Sequence, residues 1–516
     1  MANLKKLLQR DFTKLNDKTI NRLKRSWAKD LGFMPKHSQV LTAYKDLVSE
    51  KKLPPTASFR SLIRTRKTRT LSGVAPMAVM TKPFACPGQC IFCPLEEGMP
   101  KSYLSDEPAA QRAKRLNFDP KLQVKSRLRQ FKLTGHTTDK IEIIVIGGTF
   151  SAYPDSYKIK FFKDIFNALN GQDSRSLEEA QDINQIAKNR VVGISVETRP
   201  DWVTEKEVKL FRKLGVTKVQ LGVQALDEKI LEKIKRGHSL VPIAEATKLL
   251  KNSGFKVCYH FMPNLPGSTE DKDLEMAKMM FQDPRFKPDY LKIYPVQVIP
   301  NTKLHELYKA GKFKTYEDII LKKVLTDIKK ITPPWVRIDR LVRDISKKWV
   351  SSGTQKTNLR QIIKQEMDES GQSCQCIRCR EVKDYSSLHS LPRFKKTLIE
   401  TLGGQEYFLE FESSSRLHSL LRLRLPESPS SAIFPELKKA AIIRELHTFG
   451  PALALDEHQT SKPQHQGFGK KLIKKAEQIA RRQGFNRLAV ISAVGTREYY
   501  LNLGFVKEGL YMTKNI

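Results

Sequence analysis

Three cysteines in one short stretch, Cys86-Pro-Gly-Gln-Cys90-Ile-Phe-Cys93, carry the most pointed chemistry in this 516-residue chain. Soft thiolates suit iron–sulfur clusters, and three from one loop hold three irons of a 4Fe–4S cube. No fourth protein ligand is evident, so one iron stays open to chelate a small molecule. The competing reading is a three-cysteine zinc knuckle completed by a distant histidine. A second triplet, Cys374-Gln-Cys376-Ile-Arg-Cys379, has spacing suited to a structural zinc, its fourth ligand unassigned. Three unligated thiols are the alternative. Triplets this close make poor disulfide partners and point to a reducing compartment. Cys258 lies in an apolar stretch and reads as a small core residue.

A separate constellation lies near the C-terminus. Gln464-His-Gln-Gly467-Phe468-Gly469-Lys470 opens a helix expected over 469–483, where Leu472, Ile473, Ala476, Ile479 and Ala480 share one face. Backbone N–H groups at a helix start, approached closely through glycine, bind an anion such as the pyrophosphate of a coenzyme. A strand precedes this loop, and Glu498-Tyr499-Tyr500 follows it.

These groups need elements to position them. Strands are expected at 74–80, 141–147, 190–196, 218–224, 256–262 and 290–296, alternating with helical patterns. Six parallel βα units suit a partial (β/α) barrel with its active site at the C-terminal strand ends. Gly147 and Gly148 end the second strand, where glycine lets backbone approach a ligand. Glu197 and Gln224 end the third and fourth, as cofactor contacts or as turn caps. The expected fold class is therefore α/β, in four parts: a basic helical region at 1–73, the barrel at 74–345, a metal-binding linker at 346–385 and a smaller α/β domain at 386–516. In the last, strands are expected near 406–412, 417–425, 440–447 and 487–493.

The chain carries 92 Lys and Arg against 55 Asp and Glu, a formal net charge of +37. Such an excess suggests a polyanionic partner, with a merely solvated basic surface as the alternative. Residues 1–70 hold 18 of the cations and 5 of the acids, and Leu4, Leu7, Leu8, Ile20, Leu23 and Trp27 recur there at helical spacing. No apolar run is long enough to span a membrane, and the first residues lack a signal-peptide core, so a cytoplasmic protein is expected.

The Cys86/Cys90/Cys93 loop after a first barrel strand resembles the radical S-adenosylmethionine class, and the C-terminal pattern resembles GNAT acetyltransferases. Over nearly its whole length the chain resembles the Elongator catalytic-subunit family, which modifies the wobble uridine of tRNA. Stretches carrying this include Ser102-Tyr-Leu-Ser-Asp-Glu-Pro, Glu197-Thr-Arg-Pro-Asp, Arg236-Gly-His, Met262-Pro-Asn-Leu-Pro, Leu291-Lys-Ile-Tyr-Pro and Arg444-Glu-Leu-His. The Pro-Gly-Gly usual after the third cysteine is here Pro94-Leu95-Glu96, and the gap between the first two cysteines is shorter than in many eukaryotic members.

The resemblance implies that S-adenosylmethionine binds the open iron, with Gly147 and Gly148 near its methionine amine. It implies that a 5′-deoxyadenosyl radical takes hydrogen from the methyl of acetyl-CoA, that the carbon radical adds to C5 of uridine, and that thioester hydrolysis leaves a carboxymethyl group. Coenzyme A contacts are implied at Lys140, Glu445, Leu446, His447, Thr448, Phe468, Gly469 and Lys470, with Tyr500 near the sulfur. The acetyl group is then expected at the barrel mouth beside Gly148 and Glu197, where Lys140, Lys292 and Tyr294 are candidates to hold the acyl group or uridine. Implied partners are tRNA, acetyl-CoA and an electron donor, with a homodimer left open. Two other functions fit parts of the pattern: a protein-lysine acetyltransferase with a structural cluster, and a non-enzymatic tRNA-binding subunit.

Overall fold

The computed structural model describes residues 1–16, 19–56, 59, 62–64, 70, 72–383, 391–450 and 467–516. Seven parallel strands form the first sheet: β1 (Val74–Met80), β2 (Lys140–Ile146), β3 (Arg190–Thr198), β4 (Lys218–Gln224), β5 (Lys256–Phe261), β6 (Tyr290–Ile293) and β7 (Arg337–Arg340). They pair in chain order, and β7 does not return to β1, so the barrel is open. The expected strands fall within a few residues of β1–β6, but six was one too few. β7 is four residues long, and its sequence Arg-Ile-Asp-Arg has one apolar residue, Ile338.

Period-two patterning explains how the sheet makes a chamber. On β1, Ala75, Met77 and Val79 are fully buried under helices, while Val74, Pro76 and Ala78 line a cavity. On β2, Ile141, Ile143 and Val145 are buried, while Glu142, Ile144 and Ile146 face that cavity.

The second sheet is mixed, ordered β13-β14-β12-β11-β10-β9-β8. Its strands are β8 (Arg393–Thr401), β9 (Gly404–Ser413), β10 (Arg416–Pro426), β11 (Ala440–Thr448), β12 (Arg487–Val490), β13 (Val506–Glu508) and β14 (Tyr511–Asn515). The helix Phe468–Arg482 packs Phe468, Leu472, Ile473 and Ala476 against it. β11 pairs with β12 only over Ala440–Ile443, after which the two diverge.

This sheet docks on the N-terminal ends of the barrel strands. Arg444 on β11 binds Asp289, just before β6, and Glu406 on β9. Arg422 on β10 binds Glu445 at 2.8 Å, and Lys251 joins the same cluster. All these side chains are essentially excluded from water. A buried charge removed from its partners costs about 3–5 kcal/mol, so the cluster fixes one domain arrangement.

The helices Ala2–Asp11, Ile20–Leu31 and His37–Ser49 enclose a separate small core of Leu4, Leu8, Trp27, Val40 and Tyr44. The Trp27 indole donates to Asp11 at 2.8 Å inside it. No helix among the described residues is long and apolar enough to cross a membrane.

Candidate active site

One cavity of about 1540 Å³ runs through the open barrel. Cys86, Cys90, Cys93, Gly148, Glu197 and Gln224 line its upper end; Glu142, Lys218, Tyr290, Glu445, His447 and Phe449 line its lower end.

The cysteine loop leaves β1 at the C-terminal end of the strands. Arg236 places Nη1 3.4 Å from the Cys90 sulfur. Arg199 Nη1 is buried without a partner, and a Cβ on Gly88 would come 2.5 Å from it. Gly147 has φ +136°, and a Cβ there would sit 2.0 Å from Thr81 Oγ1; Gly148 has φ +94°. Only glycine tolerates this backbone. Three thiols on one loop, a glycine cradle beside them and the unpartnered Nη1 of Arg199, whose Nε and Nη2 bind Asp201, fit an iron–sulfur cluster with a small-molecule ligand that carries a carboxylate.

Glu197 accepts from the Tyr103 hydroxyl at 2.8 Å and from Lys292 at 3.3 Å. Burial opposes the charge of Lys292, but Tyr294 and Glu197 outweigh it and raise its pKa. Tyr294 meets the His260 ring edge-on at 5.5 Å. Gln224 adopts φ +70°, uncommon for a side chain with a Cβ, at the rim.

At the lower end Tyr290 is hydrogen-bonded to Glu445, Lys218 pairs with Glu142 at 2.9 Å, and Arg337 pairs with Glu381 at 2.7 Å. His447 stacks on Phe449 with centroids 4.2 Å apart. Glu445, Leu446, His447 and Thr448 pair with β10 on one edge only, because β12 has already diverged. Among the described residues no strand pairs with their other edge, which suits hydrogen bonding to an extended ligand.

The loop expected to bind coenzyme A is described in part. Gln464 lies outside the described residues. Gly467 caps the helix Phe468–Arg482 with φ +69°, Phe468 is buried, and Lys470 is exposed. A Cβ on Gly469 would come 2.6 Å from the Tyr499 hydroxyl, so that glycine holds the loop close.

Two expected positions need correction. The second sheet, and with it the strand expected to contact coenzyme A, sits at the opposite end of the barrel from the mouth where the acetyl group was expected. Lys140 is the first residue of β2, in register with Arg190, which binds Glu498 of the second domain at 2.7 Å; it therefore stands at the lower end too. Tyr500 is buried against Phe505, and Tyr499 is the half-exposed member of the pair. Arg199, Arg236, His260, Tyr103 and Tyr290 were not anticipated as site residues. Arg199, Arg236 and Tyr103 lie inside motifs noted above, which was the available signal.

Cys374, Cys376 and Cys379 bring their sulfurs within 4.8 Å of one another, and Lys329 lies 3.7 Å from the Cys379 sulfur. Among the described residues no fourth His, Cys, Asp or Glu joins them. Arg380, one residue on, binds Glu410 at 2.7 Å and Glu412 at 2.9 Å, so this triplet is tied to the second sheet.

Comparison with known proteins places these features. Residues 81–280 match the Radical SAM superfamily, and 288–369 the Radical_SAM C-terminal domain. The tRNA uridine(34) acetyltransferase of Dehalococcoides mccartyi is 43% identical over 455 residues, covering 87% of this chain and 99% of that protein. Human Elongator complex protein 3 is 37% identical over 470 residues, covering 88% and 86%. The solved structure of archaeal Methanocaldococcus infernus Elp3 with an N-terminal deletion superposes with TM-score 0.76 at 40% identity, covering 87% of this chain and all of that one. The chain belongs to the family of Elongator complex protein 3 and the tRNA uridine(34) acetyltransferases.

Proposed function

We propose that this protein forms 5-carboxymethyluridine at the wobble position of tRNA, taking the carbon unit from acetyl-CoA. The observation that carries the reading is the single cavity joining the three-cysteine loop to the splayed strand β11. Two cofactor ends that open into one chamber suit a reaction that needs both at once.

Cys86, Cys90 and Cys93 would hold a 4Fe–4S cluster, and Gly147, Gly148, Glu197 and Gln224 would frame S-adenosylmethionine beside it. When bound and reduced, that pair supplies a carbon radical able to abstract hydrogen. Gly467, Phe468, Gly469 and Lys470 would cradle the coenzyme A pyrophosphate, while Glu445, Leu446, His447 and Thr448 offer backbone to the pantetheine. Lys140 stands where a cation would meet the coenzyme, and Tyr500 or its exposed neighbour Tyr499 would flank the sulfur. Lys292, bonded to Glu197, and Tyr294, just past the C-terminal end of β6, lie towards the upper end and would orient uridine or acyl carbonyls.

Supporting the alternative of protein-lysine acetylation would require the acyl end to open on the protein surface, whereas β11 faces into the barrel. On this reading the basic region 1–73 and the barrel rim meet tRNA, the 346–385 linker holds a structural zinc, and 386–516 is the acyl domain. An electron donor completes the system, a second copy of the chain would form a homodimer, and the cytoplasm is the compartment.

The test supplies methyl-deuterated acetyl-CoA, substrate tRNA and reduced, anaerobically reconstituted protein. Deuterium is expected in 5′-deoxyadenosine, and a carboxymethyl group on uridine C5. Cys90→Ala should lose both. Absence of deuterium transfer, with acetylated lysines in a protein substrate, overturns the proposal.

A further inference from the structure

We propose that His260 reads the uracil base, its Nδ1 accepting the hydrogen bond of uracil N3–H. This rests on the function proposed above and names the residue that sets its base specificity.

The argument begins with a three-residue relay across the inner face of the barrel. Gln220 on β4 donates its side-chain amide to Ser195 Oγ on β3 at 3.0 Å. Its carbonyl oxygen therefore points the other way and lies 3.2 Å from His260 Nε2. An amide oxygen only accepts, so Nε2 carries the proton and Nδ1 is left as a lone-pair acceptor. Ser195 and Gln220 are buried, and the amide placed with its oxygen towards His260 selects this tautomer, while the His260 ring lines the cavity.

The surroundings keep that acceptor neutral. Burial first, and then the charges of Lys292, Arg343, Arg236 and Arg340, push the imidazole well below its ordinary pKa. A histidine that stays unprotonated at neutral pH can accept on Nδ1 and cannot donate there. Among so many donors, a fixed neutral acceptor is a selective element.

Uracil presents an acceptor, a donor and an acceptor along its pairing edge, with N3–H in the middle. Cytosine presents an acceptor at N3. The Nδ1 lone pair matches the first and opposes the second. Lys292, the register partner of His260 on β6, stands beside it as a donor for a flanking carbonyl. The oxygens of Glu197 are engaged by Tyr103 and Lys292 and offer a poorer competing acceptor. A site built to bond a substrate N–H rejects analogues lacking it, because its own buried group is left unpaired.

The experiment uses full-length reconstituted protein and anticodon stem–loops bearing uridine, 3-methyluridine or cytidine at the wobble position. Wild type should modify uridine and discriminate against 3-methyluridine by about a hundredfold or more. His260→Ala should lower kcat/KM on uridine about tenfold to a hundredfold and collapse the uridine to 3-methyluridine ratio towards one. Gln220→Leu, which leaves the imidazole but frees its tautomer, should fall between. S-adenosylmethionine cleavage and circular dichroism verify that each variant is folded and loaded. A His260→Ala enzyme that is slower but keeps the wild-type ratio overturns the inference and leaves the function intact. Wild type that modifies none of the stem–loops or intact tRNA overturns the function instead.

Discussion

The Tyr290 hydroxyl, at the first residue of β6, bonds the carboxylate of Glu445 on the splayed strand β11, and so joins the barrel floor to the strand proposed to hold the acyl donor. Burial alone would raise the Glu445 carboxyl, but Arg422 and Lys256 outweigh it and hold the group at about 2. A depressed carboxylate contributes stability that is complete above the ordinary glutamate range and is lost as pH falls towards 2. Denaturant unfolding between pH 7 and pH 3 should therefore show a steeper acid loss in wild type than in Glu445→Gln. The difference in the limit is on the order of 3 kcal/mol. Parallel pH profiles would show that Glu445 is not the group responsible.

Gly469 leaves no room for a side chain beneath Tyr499. Gly469→Ala should weaken acetyl-CoA binding about tenfold, or about 1.4 kcal/mol, by isothermal titration. Adding Tyr499→Phe removes the clashing hydroxyl and should recover part of the loss. Wild-type affinity in Gly469→Ala would mean the coenzyme does not depend on this close approach.

How much of this was legible in the sequence depends on the residues concerned. β1 and β4 could be bounded from their apolar runs, and the helix Phe468–Arg482 from its one-sided pattern. The docking end of the second sheet could not. The segment Leu421-Arg422-Leu423-Arg424-Leu425 reads as a strand with one wet face. Its leucines do pack under the helix Phe468–Arg482, but Arg422 and Arg424 are fully buried against the barrel. Their partners Asp289 and Asn252 lie more than a hundred residues away. β7 was missed for a related reason, since its charged residues face a polar cavity rather than water. The His260 tautomer depends on a neighbour on another strand, so no local pattern announces it.

The linker triplet should bind about one zinc per chain, measured by elemental analysis. Cys376→Ser should lose it and lower the thermal midpoint by about 5 °C or more, since a 1 kcal/mol loss moves a large domain by about 2–4 °C. Iron content should stay at the wild-type level. Iron lost together with zinc would contradict two separate metal sites.

Deleting residues 1–70 removes 18 cations and 5 acids. Filter binding should then show weaker tRNA affinity and a shallower slope of log affinity against log salt, by roughly 0.7–0.9 for each phosphate no longer neutralised. An unchanged slope would place the tRNA-binding cations elsewhere.

The docking of the second sheet on the barrel floor has a consequence for the order of events in turnover. A macromolecular substrate seated over the cysteine loop and a thioester threaded along β11 approach from opposite ends, so neither blocks the other's exit. On the function proposed above, binding should then be random in order, with both substrates present together before any product leaves. Initial rates follow intersecting rather than parallel lines, and free coenzyme A competes with acetyl-CoA but not with tRNA. On that reading the spent coenzyme would be replaced while the nucleic acid stays bound, and the barrel would be a passage with two independent doors.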